Sequence, residues 1–351
     1  METQLKRRRR DALVNGILSR QWLSVMRKAN ANSQFVGCMI LWSCLCAAAQ
    51  DLQITDVPAT GLAPNTTQNL LIDPAIRDAI DKAVKSRDYR QAEALLLEET
   101  QKDPKSAPLF TTLGNVFFLD GDYLQCAIAM KKAEAIEPLD NRSRFTLALA
   151  YIILKQPNWA RPELEKLVLS EPENPNYPYW LGRLDYDAQQ FGLAVGRFKK
   201  ALELDPQFMK AYDNLALCYE ALGKYDEAVQ IYQDALRLNR QSPAPSPWPP
   251  LNLGALLVKL ERLQEARAAL EESLRADPRF PKAHYQMGVL LEKEKKDDEA
   301  IREFNLATTY DPMYPDPHYI LARIYQRLGE NSKAKEARET FQKLKEKKRQ
   351  Q

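Results

Sequence analysis

The chain has 351 residues, of which 45% are hydrophobic and 28% are charged, a composition typical of a folded rather than a disordered protein. Its formal net charge is +3, but residues 1–49 hold eight of the 50 Lys and Arg residues and two of the 47 Asp and Glu residues. The remaining chain has 42 basic residues against 45 acidic ones. This balance argues against nucleic-acid binding through the body of the protein.

Residues 1–49 have the pattern of an export signal. An uncharged apolar run at residues 35–46 follows a basic stretch, and three alanines ending at Ala49 form a small-residue cleavage site. We expect export with cleavage after Ala49, and Met26 is an alternative start because a conventional signal begins there. The apolar run is shorter than the about 20 residues that a membrane span needs. An uncleaved anchor is therefore the less favoured alternative and the only membrane attachment that we predict.

The rest of the chain, beyond a flexible linker predicted at residues 50–70, repeats one helical unit. The unit is clearest at residues 211–239, where apolar residues recur at i, i+3, i+4 and i+7 in two stretches separated by Gly223. This spacing places them on one face of each of two helices, and Gly223 favours the turn between the helices. Most units end in an acidic residue followed by Pro, and these prolines are evenly spaced at Pro104, Pro138, Pro172 and Pro206.

Eight units are predicted over residues 73–348. They begin at Asp73, Ala107, Asn141, Pro175, Met209, Pro247, Pro281 and Pro315. Every unit except the first has Gly or Ala at the position of Ala216, and all have Ala or Cys at the position of Ala228, so two helices can approach closely. A Pro-rich insertion at residues 242–250 adds four residues to the period. We interpret it as a loop at a joint between units, and a lip that places Trp248 at a groove is the alternative.

A 34-residue helix–turn–helix unit with small residues at positions 8 and 20, aromatic residues at 11 and 24 and Pro at 32 resembles the tetratricopeptide repeat. The resemblance implies an all-α fold, a right-handed α-solenoid of about eight repeats, preceded here by a signal peptide. Together with that signal, it points to an exported bacterial protein. Departures from the pattern include Ile80 at a small position, Asp185 at an aromatic position, and Arg338 and Glu346 in the last unit.

The residue types give no sign of catalysis. The sequence has no Gly-rich phosphate loop, no clustered Cys and His ligands, and no Ser, His and Asp arrangement. His284 and His318 hold the same position in adjacent units, which is too far apart to share one metal ion. We therefore predict no enzyme, no catalytic or metal-binding residues and no cofactor.

The resemblance also implies that first helices line a concave groove. The predicted partner-binding residues are Asn115, Phe118, Phe145, Tyr179, Arg183, Tyr186, Trp248, Tyr285, Tyr319 and Arg323. Aromatic and Arg side chains are the types most enriched in binding hot spots. Each of these residues is equally compatible with packing between repeats.

The predicted partner is a protein or peptide, with no nucleic acid. The favoured function is a non-enzymatic interaction module or scaffold that binds a peptide or helix in the groove, in the cell envelope or secreted. The alternative is an accessory recruiting subunit of an envelope polysaccharide or protein-export system. A cytoplasmic co-chaperone is disfavoured because it requires a chain that is not exported, and because Thr146 stands where a carboxylate-gripping member of the family has Asn.

Overall fold

A computed structural model of the chain describes Thr67 and residues 70–350; the predicted signal peptide and most of the predicted linker lie outside these residues. Throughout this range the regular structure is α-helical, which confirms the all-α prediction. In chain order the helices are α1 (Pro74–Lys85), α2 (Tyr89–Lys102), α3 (Ala107–Leu119), α4 (Tyr123–Glu134), α5 (Asn141–Ile153), α6 (Pro157–Ser170), α7 (Asn176–Asp187), α8 (Phe191–Leu204), α9 (Met209–Ala221), α10 (Tyr225–Gln241), α11 (Trp248–Lys259), α12 (Leu263–Ala276), α13 (Pro281–Lys293), α14 (Asp297–Tyr310), α15 (Asp316–Arg327) and α16 (Asn331–Gln350).

The sixteen helices of the described range form eight consecutive helix–turn–helix pairs. Odd-numbered helices are the first of each pair and even-numbered helices the second. The chain divides into two compact units, one ending at Leu184 and one beginning at Asp185, so that the boundary falls within α7. Inside each unit, a pair packs on the pair that follows it in the chain. Each repeat therefore buries its apolar surface against its neighbours, as in a helical-repeat solenoid.

None of the helices between residues 74 and 350 combines the length and the apolar character needed to cross a bilayer.

The turn inside every pair contains one residue with a positive φ angle, between 56° and 80°. These residues are Arg87, Gly121, Lys155, Gln189, Gly223, Glu261, Lys295 and Gly329. Apart from the interval that spans the insertion, they are evenly spaced along the chain, so the same left-handed turn recurs in each repeat. Gly adopts this conformation without a steric penalty, whereas the five other residues hold it at a cost.

Small residues at the repeat position of Ala216 allow the two helices of a pair to approach closely. A Cβ atom added at Gly254 would lie 2.7 Å from Leu270 Cγ, and one added at Gly288 would lie 2.7 Å from Phe304 Cε1. Both distances are too short for a van der Waals contact. The large side chain of the second helix therefore fills the space that the glycine leaves.

Helix N-termini are stabilised by acidic residues. The Asp140 carboxylate accepts a hydrogen bond from the backbone N–H of Ser143 at 2.8 Å, which caps α5. Residues 297–299 place three carboxylates in the first turn of α14, where they favour the positive end of the helix dipole.

The loop between α10 and α11 comprises residues 242–247 and is shorter than the predicted insertion at 242–250. Trp248, Pro249 and Pro250 instead form the first turn of α11. Pro is tolerated there because the first N–H groups of a helix have no partner within the helix.

Side-chain hydrogen bonds hold this loop. The Asn239 amide donates to Ser246 O at 2.8 Å and accepts from Ser246 N at 2.8 Å. The Ser273 hydroxyl of α12 donates to Pro247 O at 2.8 Å. The insertion is thus attached to the repeats on both sides of it.

Thr67 and Leu70, two residues near the end of the predicted linker, contact α1. Thr67 is buried and its hydroxyl donates to the Asp81 carboxylate at 2.6 Å. Leu70 is also buried, and its carbonyl accepts a hydrogen bond from Arg77 of α1 at 2.8 Å. These contacts extend the first repeat toward the N-terminus.

Candidate functional site

The ten residues predicted to line the groove differ in exposure according to the unit that contains them. Those of the first unit, all buried, are Asn115, Phe118, Phe145, Tyr179 and Arg183. Those of the second unit are Tyr186, Trp248 and Tyr285, which are half-buried, and Tyr319 and Arg323, which are exposed. The accessible part of the predicted site therefore lies in residues 185–350.

In the first unit, the predicted residues pack among other aromatic rings. The ring centroid of Phe145 lies 5.3 Å from that of Tyr177, and Tyr179 lies 5.5 Å from Trp180. The Tyr179 side chain is 2% exposed. Its ring packs against that of Trp180, and a binding role for Tyr179 stays a prediction.

In the second unit, first helices carry an accessible surface that we name the first-helix face. It consists of Tyr285, Val289 and Glu292 on α13 and Tyr319, Arg323 and Arg327 on α15. Within each helix these residues are three, four, seven or eight positions apart, which places them on one side of the helix. Tyr319 is 51% exposed and rests its ring on Phe341 of α16 at 5.4 Å between centroids.

Trp248 is held against the next repeat. Its ring lies 5.0 Å from the ring of Phe280, and the Lys282 ammonium sits 4.6 Å above the indole. Both contacts come from the start of the α13 repeat. The indole therefore fixes the joint after the insertion, which agrees better with a packing role than with a projecting lip.

A row of basic residues joins successive repeats of the second unit. We name it the basic row; its members, at equivalent positions of three consecutive repeats, are Lys259, Lys293 and Arg327. Each approaches a carboxylate of the preceding repeat, and the pairs are Lys259–Glu220 (3.8 Å), Lys293–Glu261 (3.3 Å) and Arg327–Glu292 (3.5 Å). Such partly exposed pairs add little stability, about 1 kcal/mol at most. They neutralise two acids of first helices, Glu220 and Glu292, and one acid of a turn, Glu261.

Arg323 reinforces the last of these links. Its guanidinium lies 3.0 Å from Glu292 and remains about half exposed. Sequence reasoning missed the role of Glu292 and of the basic row. The recurrence of Lys or Arg at one position of three consecutive repeats is the signal in the sequence that could have identified the basic row.

Two carboxyl groups of α9 lie in the interior of the second unit. Asp213 is 5% exposed, and burial raises its pKa to about 7, an effect that the hydrogen bond from Asn252 at 3.1 Å partly offsets. Burial also raises the pKa of Glu220, although the Tyr232 hydroxyl donates to it at 3.0 Å and Lys259 lies nearby.

Asp185, the departure from the aromatic pattern, is buried near a cation. Its carboxylate lies 3.9 Å from Arg197 Nε on α8. A nearby guanidinium offsets part of the cost of burying a carboxylate.

Across the described residues, no group of three or more His, Cys, Asp and Glu side chains is placed to hold a metal ion. The accessible groups of the first-helix face are aromatic rings and guanidinium groups. Tyr and Arg side chains are enriched in protein–protein interfaces.

Comparison with known proteins identifies the repeat. Residues 179–243 and 251–316 match the family model described as tetratricopeptide repeat. The chain is 25% identical over 160 residues to the type IV pilus assembly protein PilF of Pseudomonas aeruginosa, and the match covers 45% of this chain and 62% of PilF. It is 30% identical over 127 residues to the TPR repeat-containing protein YpiA of Bacillus subtilis, covering 35% of this chain and 28% of YpiA. The chain thus spans less than two thirds of either relative.

The crystal structure of a tetratricopeptide repeat protein from Parabacteroides merdae is similar to this chain with a TM-score of 0.56 and 18% identity. The similarity covers 70% of this chain and 94% of that one. At this identity it supports the fold alone. Residues 179–243 and 251–316 thus match tetratricopeptide repeats in sequence, and the described range shares the paired-helix fold.

Proposed function

We propose that this protein is a non-enzymatic scaffold that binds an extended peptide or a helix of a protein partner on the first-helix face. Tetratricopeptide repeat proteins generally mediate protein–protein interaction. The observation that carries the proposal is the exposure of Tyr319 beside Arg323, since Tyr and Arg dominate binding hot spots.

The side chains of this face are already ordered by contacts within the protein. Tyr319 rests on Phe341, Arg323 is held by Glu292, and Tyr285 lies 5.3 Å from the ring of Tyr314. Because these side chains are already ordered, binding here costs less side-chain entropy than binding to a mobile surface would. The exposed edge of each side chain remains available to the partner.

The proposed setting is a bacterial cell envelope or the exterior, reached by export and cleavage after Ala49. The sequence pattern of residues 35–49 supports this location. The name of the relative PilF assigns that protein to type IV pilus assembly. This name supports an assembly role in the envelope, including the narrower alternative of an accessory subunit that recruits substrate to a polysaccharide or protein-export system.

N-terminal sequencing of the exported protein tests cleavage after Ala49. Retention of residues 35–46 would refute cleavage.

Site-specific photo-crosslinking tests the binding face. A crosslinking amino acid replaces Tyr319 in the full chain, and in a control protein it replaces Leu193, which is also exposed but lies on the second helix α8. We expect a discrete protein adduct from position 319 and none of the same mass from position 193. Adducts from position 193 alone would show that the partner binds the second helices.

A double substitution, Tyr319→Ala with Arg323→Ala, tests whether the face supplies binding energy. We expect it to abolish the adduct formed by a crosslinker at Tyr285 while changing the melting temperature little, because both side chains are about half exposed. An unchanged adduct would refute this face as the site.

A further inference from the structure

Asp213 belongs to the same side of the repeats as the first-helix face. It occupies in α9 the repeat position that Leu251 holds in α11, Tyr285 in α13 and Tyr319 in α15, once the four-residue insertion is allowed for. Equivalent positions of stacked repeats face the same way. The repeat position that the exposed Tyr319 holds in α15 is therefore held by a carboxyl group in α9.

This carboxyl group lacks the nearby cation that the buried Asp185 and the half-buried Glu220 have in the same unit. Its hydrogen bond is to the neutral amide of Asn252, at 3.1 Å from Asp213 Oδ1, and among the described residues no cation pairs with it. Glu220, further along α9, is paired with Lys259. Lys259 of the basic row thus pairs with Glu220, and in the described part of the chain Asp213 has no positive charge beside it.

An ionised carboxylate that is 5% exposed and has no cation is costly to the folded protein. Burial raises the pKa of Asp213 to about 7, which is the expected response to that cost. Ionisable groups held in this way are concentrated at functional sites. Asn252 occupies only Oδ1, so Oδ2 remains able to accept a second donor.

We infer that Asp213 is the acceptor for a lysine or arginine side chain of the peptide that binds along this side of the repeats. The inference rests on the proposed function and specifies the chemistry of the partner: a basic residue placed where the peptide crosses α9. The incoming cation would supply the charge that the protein itself does not, through a charge-assisted hydrogen bond to the carboxylate.

The test compares two immobilised pools of degenerate decapeptides that differ only in the central residue. One pool has arginine there and the other has citrulline, which has nearly the same shape without the charge. Retention of the full-length protein is measured at pH 8, which is above the raised pKa of Asp213. We expect about tenfold stronger retention on the arginine pool, the effect of one hydrogen bond to a charged group.

Three variants locate the effect. Asp213→Asn keeps an acceptor for Asn252 and should reduce the arginine-to-citrulline ratio to about one, without lowering the melting temperature. Two control variants should each retain the wild-type ratio. Glu220→Gln removes a carboxylate that is already paired with Lys259, and Asp298→Asn removes an exposed acid of α14.

An unchanged ratio in Asp213→Asn would overturn the inference. Equal retention of both pools by the wild-type protein would also overturn it, but would leave the proposed peptide-binding function in place. Retention of neither pool would contradict both proposals.

Discussion

The imidazole of His284 bridges two elements of one repeat through Glu303. Its Nδ1 lies 2.7 Å from the Glu303 carboxylate of α14, and its Nε2 lies 3.0 Å from the carbonyl oxygen of Pro278. Both neighbours are acceptors, so both ring nitrogens must donate. The buried ring is therefore satisfied only as the imidazolium.

We expect the stability of the protein to depend on the charge of His284. Burial lowers the pKa of His284, but the hydrogen bonds to Glu303 and Pro278 outweigh it, so the net pKa is raised above 6.5. A raised pKa in the folded state stabilises the fold fully below the unfolded value of about 6.5, and this contribution is lost as the pH rises through the folded value. Urea unfolding of His284→Gln and wild-type protein between pH 5 and 9 should differ most at the acidic end.

His318 is the matched control, because it holds the same position in the next repeat. Burial lowers its pKa. Its neutral form therefore stabilises the fold above the unfolded pKa, and the contribution is lost as the pH falls through the folded value. His318→Gln should reduce the acid sensitivity of the protein, opposite to His284→Gln. Identical pH profiles for the two variants would contradict the assigned charge states.

The left-handed turns predict a stabilising substitution. Lys155 adopts φ 56° in an exposed turn, a conformation that costs a residue with a Cβ atom more than it costs Gly. Lys155→Gly should raise the free energy of unfolding by about 0.5–1 kcal/mol after allowing for the greater entropy of Gly in the unfolded chain.

The reciprocal variant is Gly223→Ala, which should lower the free energy of unfolding by a similar amount because Gly223 has φ 72°. Thermal unfolding of both variants gives the comparison. A loss of stability in Lys155→Gly would show that the turn carries no strain.

A methyl group at Gly288 should overpack the joint between α13 and α14. The added Cβ would approach Phe304 Cε1 to 2.7 Å, so the ring or the helices must shift. We expect Gly288→Ala to lower the free energy of unfolding by about 1–3 kcal/mol. In contrast, an added Cβ at Gly196, in the interior of α8, meets no atom within 4 Å, so Gly196→Ala should raise the free energy of unfolding by about 0.5–1 kcal/mol, since Ala favours helix. Equal effects in urea unfolding would refute the packing argument.

Local interactions made much of the fold predictable. The regular repeat period, the glycines at turns such as Gly223 and the small residues opposite large ones are all properties of neighbouring residues in one repeat. Helix formation and pairing depend on these short-range patterns, so the all-α, helix–turn–helix architecture follows from them. The turns at Lys155 and Glu261 carry no glycine, so the sequence does not mark them, although both residues adopt the same left-handed conformation.

The candidate site was less predictable, because exposure depends on residues supplied by other helices. The sequence shows that Asp213 shares its repeat position with Tyr319, but only the structure shows that its carboxylate pairs with Asn252 and with no cation of the described range. The pairing of Glu220 with Lys259 joins residues of different repeats, and their separation includes the irregular insertion.

Two Tyr and Arg pairs separate what the sequence determines from what the tertiary structure determines: Tyr179 with Arg183, and Tyr319 with Arg323. Both pairs have the same residues, the same four-residue spacing and the same repeat position, so the sequence by itself determined that each lies on a first helix with its side chains to one side. Only the tertiary structure decided that the first pair is buried and the second is about half exposed. The reason is that helix periodicity is set along the chain, whereas burial is set by the side chains that neighbouring helices bring into contact.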